Sequence, residues 1–149
     1  MELRRLDEER FPRFSELFAA FMPPDADSVY AELGLTPEEA ARLPREVGEL
    51  RQVELDGPVA GYVWIELRER TLHVHALLLE PEYRGVGLGA RVLAELEDEF
   101  GERADEVELG VLPDNAQALA LYEKAGFERV GERLRFLIMR KPLKRGMDG

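Results

Sequence analysis

The sequence predicts an α/β protein of the α+β kind, a mixed β-sheet flanked by helices. Three observations carry that prediction. Phenylalanines recur at helical spacing near the N-terminus, at Phe11, Phe14, Phe18 and Phe21. Strand-like runs then follow one another from Glu49 to Leu79 with only short turns between them. A glycine-rich loop next opens a series of helix, strand, helix and two strands that ends near Lys141.

Leu3 to Leu6 opens the chain as a short strand. Pro12 suits the first turn of the phenylalanine helix, where its missing N–H costs no intrahelical bond, and Met22-Pro23-Pro24 stops it. Asp25 to Leu35 reads ambiguously, with Val29, Tyr30 and Leu33 spaced for a short helix. Thr36-Pro37-Glu38-Glu39 supplies an N-cap, a proline at the first helical position and early acidic residues. That helix is expected to end before Pro44. Strands at Glu49 to Leu55 and Val59 to Leu67 flank Asp56-Gly57, a hairpin signal. Arg68-Glu69-Arg70 reads as a turn before a strand from Thr71 to Leu79, and an antiparallel meander is the simplest arrangement of the three. The helix after the glycine loop carries Leu88, Val92, Leu93, Leu96 and Phe100 on one face, with Gly101 as a natural C-terminal cap. Glu106 to Val111 is a strand. Leu112-Pro113-Asp114-Asn115 is a loop and cap for a helix bearing Leu119, Leu121 and Tyr122 and ending at Gly126. Strands from Phe127 to about Glu132 and from Leu134 to Lys141 complete the sheet. Residues 1–143 are expected to form one domain, and Lys144 to Gly149 a flexible tail with little to bury.

At 149 residues the chain is long enough for one domain with a real core. Hydrophobic residues at 45% and charged residues at 34% describe a globular chain rather than a disordered one. No apolar run approaches the roughly 20 residues of a membrane span, and Met1 to Asp7 lacks the apolar stretch of a signal peptide. A cytoplasmic location without a membrane partner is therefore expected. With no cysteine, disulfides, thiolate metal sites and a cysteine nucleophile are excluded. His73 and His75, the only histidines, cannot build an all-histidine zinc site, so no metal is expected. A net charge of −11 argues against nucleic acid as a partner. The same charge would attract a cationic acceptor, although solubility is the simpler account of it.

The chemistry concentrates in Arg84-Gly85-Val86-Gly87-Leu88-Gly89, between a strand and a helix. Closely spaced glycines let a backbone turn tightly and approach a ligand. The first N–H groups of the next helix have no internal partners and, with the helix dipole, suit a pyrophosphate. Arg84 adds positive charge for phosphate oxygens. A dinucleotide fold would place this loop after the first strand of a βαβ series, and a P-loop would end in Gly-Lys-Ser/Thr; neither holds here. A purely structural glycine turn is the remaining alternative.

Arg84-Gly85-Val86-Gly87-Leu88-Gly89 resembles the cofactor loop of the GNAT superfamily of N-acetyltransferases, Gln/Arg-x-x-Gly-x-Gly/Ala. Leu79-Glu80-Pro81-Glu82-Tyr83 resembles the usual approach to it. The stretch from Asn115 to Phe127 is similar to the family's second signature, with its asparagine, alanine, tyrosine and closing Gly-Phe. The resemblance spans Leu3 to about Leu143. It implies a V-shaped mixed sheet with acetyl-CoA, or another acyl-CoA, in the split. It further implies an amine acceptor and, since the family often dimerises, a homodimer.

By the same resemblance, backbone N–H groups of Arg84, Gly85, Val86, Gly87, Leu88, Gly89 and Ala90 bind the pyrophosphate. Leu77, Leu78 and Leu79 pair with the pantetheine arm, and the Leu79 N–H faces the thioester oxygen as an oxyanion donor. Asn115 contacts the arm or simply caps its helix. Tyr122 matches the tyrosine that protonates the departing thiolate, or is a core aromatic. The attacking amine must lose a proton. Gly110 stands where one branch of the family carries its basic glutamate, so this chain departs from that branch. His73 and His75, two apart on one strand face, are candidate bases; Glu66 is another, and water relaying to solvent is an alternative. Phe21, Asp25, Asp27, Tyr30, Glu32, Trp64 and Phe136 are candidates for the acceptor side. An acyl-CoA-binding module without turnover and a noncatalytic interaction domain are the rival readings.

Overall fold

Strand-like alternation in the middle and end of the chain builds one seven-stranded sheet, which a computed structural model of the protein describes over residues 1–143. In chain order the elements are β1 (Glu2–Arg5), α1 (Phe11–Phe21), α2 (Ala26–Glu32), α3 (Pro37–Glu46), β2 (Glu49–Glu54), β3 (Val59–Arg68), β4 (Thr71–Leu79), α4 (Leu88–Phe100), β5 (Glu106–Val111), α5 (Ala116–Lys124), β6 (Glu128–Arg133) and β7 (Phe136–Pro142). The sheet order is β1-β2-β3-β4-β5-β7-β6. Only β4 and β5 are parallel; every other neighbouring pair is antiparallel. The expected mixed sheet and its meander are present. The fraying expected of 144–149 lies outside the described residues. No helix among the described residues is long and apolar enough to cross a membrane.

Two local expectations are corrected, at Pro44 and at Leu134. α3 does not end before Pro44 but continues to Glu46, with Pro44 buried inside it. The proline removes one intrahelical hydrogen bond. Against that loss stand a capping box between Thr36 and Glu39 at the start, a Val47 N–H to Leu43 carbonyl bond of 2.8 Å at the end, and the packing of Leu43 on the core. Gly101 is the C-cap of α4 as expected, in a right-handed conformation (φ −55°). A left-handed cap closes α5. There Gly126 has φ 103°, the Phe127 N–H bonds the Tyr122 carbonyl at 2.9 Å, and the Gly126 N–H bonds that of Glu123 at 3.1 Å, a Schellman arrangement. Finally, Leu134 is not in the last strand. Leu134 and Arg135 form the β6–β7 turn, both at positive φ (52° and 75°).

Apolar side chains fill both faces of the sheet. On one face, Val63, Ile65, Leu72, Val74 and Met139 pack with Val92, Leu93 and Leu96 of α4 and Leu119 and Tyr122 of α5. On the other, Tyr62, Trp64, Ala76 and Leu78 pack against Phe14 and Leu17 of α1. Membership of these clusters reveals a break in β4. Leu72 and Val74 belong to the first face, yet Ala76 and Leu78, which continue the same alternation in sequence, belong to the second. The register explains it: Trp64 lies opposite Ala76 and Ile65 opposite Val74, so His75 is an extra, unmatched residue, a β-bulge. At the same point β4 leaves β5. Their parallel ladder joins residues 71–74 to 106–109 and stops at Val74 and Leu109, while β4 runs on to Leu79. The sheet therefore opens beside the second half of β4.

The segment between α3 and β2 turns at Gly48, whose φ is +69° and whose added Cβ would lie 2.2 Å from the Ile65 carbonyl oxygen. Gly48→Ala combines strain with a backbone clash, so a loss of about 2 kcal/mol or more is expected, measured as a lower Tm. An unchanged Tm would mean that the turn does not pack as described.

Candidate active site

The glycine loop and the free half of β4 face each other across the opening. Gly85 and Gly87 adopt φ of 75° and 85°, which glycine takes without steric cost. An added Cβ at Gly87 would meet nothing within 4 Å, so open space rather than protein adjoins it. Gly87 is also the N-cap of α4 and offers no side chain to its first N–H groups. The Arg91 N–H bonds Gly87, whereas those of Leu88, Gly89 and Ala90 have no acceptor among the described residues. A cleft of about 400 Å³ lies over them, lined also by Leu77, Leu79, Asn115, Gln117, Tyr122 and Lys124.

β4 contributes backbone to this cleft. The Glu80 N–H bonds the Ala60 carbonyl at 2.8 Å. Alternation along an antiparallel strand then turns the amides of Leu79 and Leu77 away from β3, toward the opening. Arg84 does not project freely: its Nε donates to the Leu79 carbonyl at 3.0 Å. This contact ties the loop to the end of β4, and Arg84 also lines the cleft. Behind the loop, Arg13 of α1 donates through Nε to both oxygens of Glu80 (3.0 and 3.2 Å), holding that carboxyl below its usual range. Asn115 caps α5, its side chain accepting from the Ala118 N–H at 3.2 Å, and also lines the cleft. Tyr122 is buried beside Phe127 with its hydroxyl unpartnered among the described residues. Burial pushes its pKa up to about 12.

Three of the sequence candidates for this cleft are not among its lining residues. Leu78 faces the opposite core, and Val86 and Ala90 are exposed on the loop and on α4. The sequence reading missed Gln117 and Lys124. Both are exposed residues of α5 with no local signal, placed by its packing near α4.

A second cavity, of about 200 Å³, opens on the other face of the sheet. Phe18, Phe21, Tyr30, Leu134 and Phe136 form apolar walls, and His73, His75 and Glu108 a polar floor. The two imidazoles stack with centroids 5.9 Å apart and planes at 15°. His75 Nε2 lies 2.8 Å from Glu66 Oε1 and its ring 4.6 Å from Trp64, whose Nε1 donates to the Val47 carbonyl. His73 Nδ1 lies 3.3 Å from Glu108 Oε2, and Arg140 Nε donates to the other oxygen of Glu108 at 2.8 Å. A carboxylate on one imidazole nitrogen fixes the tautomer and leaves the other nitrogen as an acceptor. Burial first, then the positive charge of Arg68, lowers the His73 pKa below its ordinary value, with Glu108 opposing. His73 is thus held in the neutral form that can take a proton.

The structure gathers Phe21, Tyr30 and Phe136 of the acceptor candidates around this cavity, with Trp64 behind His75. Asp25 is ion-paired to Arg135, and Asp27 and Glu32 lie outside the lining. Glu108, one of two buried polar residues among the described residues, was not legible. Its alternation with Val107 and Leu109 marks the face it shares with Gly110, but its burial depends on Arg140, which arrives from β7.

Residues 4–127 match the Acetyltransferase (GNAT) family, and the chain belongs to it. Members of that family are acetyl-CoA-dependent acyltransferases. The N-alpha-acetyltransferase RimI of Mycobacterium tuberculosis is 44% identical over 84 residues, 54% of this chain and 52% of that protein. The mycothiol acetyltransferase of Clavibacter sepedonicus is 40% identical over 75 residues, 50% of this chain and 25% of the relative. The chain thus spans about half or less of the curated relatives it matches. Over 95% of this chain and 98% of the other, the fold superposes with a TM-score of 0.69 and 19% identity on the PaiA N-acetyltransferase of Thermoplasma acidophilum, solved with coenzyme A. That likeness is one of fold.

The charges around His73 set a testable sign. Arg68→Gln removes a positive neighbour and is expected to raise the His73 pKa, whereas Glu108→Gln removes a negative one and is expected to lower it further. Imidazole chemical shifts followed against pH read both. Equal values in wild type and Arg68→Gln would contradict the arrangement.

Proposed function

We propose that the protein moves an acetyl group from acetyl-CoA to a primary amine by direct attack at the opening beside β4. The observation that carries this reading is the bulge at His75. It places two cavities against the same few residues of β4, with Leu77 lining the glycine-loop cleft and His75 lining the aromatic cavity. A donor and an acceptor can thus meet from opposite faces of one sheet.

The residues present suit acetyl-CoA, which brings an activated thioester. The free N–H groups at the start of α4, the left-handed glycines and Arg84 suit the pyrophosphate. The amides of Leu77 and Leu79 suit the pantetheine arm. Because Arg84 occupies the Leu79 carbonyl at the phosphate end, we assign the oxyanion donor to Leu77, two residues and roughly 7 Å nearer the bulge. His73, held neutral, takes the proton of the attacking amine, with the His75 ring stacked beside it. Glu108 and Glu66 orient those rings rather than serving as bases. As the new C–N bond forms and the C–S bond breaks, Tyr122 donates to the departing sulfur and recovers its proton from solvent. A phenol held near 12 stays protonated at neutral pH and gives up its proton only as negative charge grows on sulfur.

Titration of acetyl-CoA followed by thiol-release assays over an amine panel tests the whole reading. Binding without release over the panel would make the protein an acyl-CoA-binding module instead. Tyr122→Phe is expected to lower kcat roughly 10²-fold while acetyl-CoA affinity changes less than about two-fold. Unchanged kcat would leave Tyr122 a packing residue. Gly87→Glu, which puts a carboxylate where the anion should sit, is expected to weaken acetyl-CoA binding at least about 100-fold in a folded variant. Retained affinity would refute the loop assignment.

A further inference from the structure

The charge of the aromatic cavity is opposite to that of the protein. The chain carries −11, which favours cationic acceptors at long range. Yet Glu108 is the one carboxylate among the described residues that line this cavity, and it is bonded to Arg140. Asp25, in the α1–α2 connection, is held by Arg135 of the β6–β7 turn, and Glu66 by Arg68 and His75. Two arginines line the cavity, Arg68 and Arg133. Arg68 is committed to Glu66 at 3.2 Å, whereas the Arg133 guanidinium has no partner among the described residues. The uncompensated charge at this rim is therefore cationic. A polyamine or a lysine side chain would meet repulsion there, while a carboxylate would find a guanidinium fork.

The rest of the cavity sets the body of the ligand. Arg133 lies opposite Phe136 in the β6–β7 ladder, and Phe136 stacks on Phe21 at 6.0 Å. Tyr30, Leu134 and Phe18 add apolar walls to this open cavity of about 200 Å³. A cavity of about 150 Å³ takes one benzene, so this one takes a ring or branched chain with a few further atoms.

We propose that the acceptor is a free α-amino acid with a bulky apolar side chain, its carboxylate on Arg133 and its side chain among Phe21, Tyr30 and Phe136. The assignment rests on the acetyltransferase reading above and specifies its substrate class. The amine, two bonds from the carboxylate carbon, then faces the His73–His75 floor.

The test compares thiol release from acetyl-CoA with phenylalanine, phenylalaninamide, spermidine and a tetrapeptide that begins with phenylalanine. The expected kcat/KM for phenylalanine exceeds that for its amide by about 10- to 100-fold, as for loss of one charge-assisted contact. In Arg133→Met, an exposed position where folding is not at stake, that preference is expected to fall at least about ten-fold; Arg133→Lys, which keeps the charge but loses the fork, retains part of it. Preference for spermidine or the peptide, or an acid-to-amide ratio unmoved by Arg133→Met, overturns the acceptor assignment and leaves the acetyltransferase reading standing. No thiol release with any amine, in protein that binds acetyl-CoA by titration, overturns both.

Discussion

One unmatched residue, His75, organises the molecule. A strand that keeps perfect alternation presents each face with the same set of side chains throughout. β4 does not: after the bulge its inward and outward residues exchange, so Ala76 and Leu78 join the α1 face and Leu77 and Leu79 turn to the α4 face. The ladder to β5 ends at the same place. Backbone groups that a continuous sheet would consume are left for a ligand, and unpaired groups of this kind are costly when buried without a partner. The cleft is thus a structural debt of the sheet, met by whatever binds there.

Ion pairs hold the parts of the site at fixed distances from this break. Arg13 ties α1 to Glu80 at the entry of the loop, and Arg84 ties the loop to the end of β4. On the far side, Arg51 grips Glu99 through two hydrogen bonds of 2.6 Å, joining β2 to α4. The pairs nearest the histidines serve a second purpose. Arg68 pairs with Glu66 and Arg140 with Glu108, and burial, aided by the positive charge of Arg68, holds the His73 pKa below its ordinary value.

Local pattern was enough to read the strands, the α1 phenylalanines, the Thr36 N-cap of α3 and the glycine loop, because each is encoded within a few residues. Pro44 and Leu134 depart from the sequence expectation for one reason: intrinsic preference pointed one way, and tertiary packing or turn geometry decided otherwise. The glycine loop and its approach were legible since those residues are contiguous, whereas Gln117 and Lys124, which line the same cleft from α5, were not. In the aromatic cavity the sequence offered Phe21, Tyr30, Phe136 and the histidines but not their charged neighbours. Glu108, Arg133 and Arg140 come from β5, β6 and β7, and their meeting with His73 depends on strand order, which periodicity does not disclose. The bulge itself was invisible for the same reason, since it is a mismatch between two strands.

The β6–β7 turn is taken by Leu134 and Arg135, both in a left-handed conformation that favours glycine or asparagine. Such residues cost of order 1–3 kcal/mol each. In return Leu134 reaches the aromatic cavity and Arg135 reaches Asp25 of the α1–α2 connection. The two-residue turn sits apart from the glycine loop, at the end of an exposed hairpin on the sheet's margin. Substitutions here would relieve backbone strain while reshaping the aromatic cavity, which shares no lining residue with the glycine-loop cleft. The fold therefore has a built-in seam: the aromatic cavity can change shape through this hairpin while the glycine loop keeps its geometry.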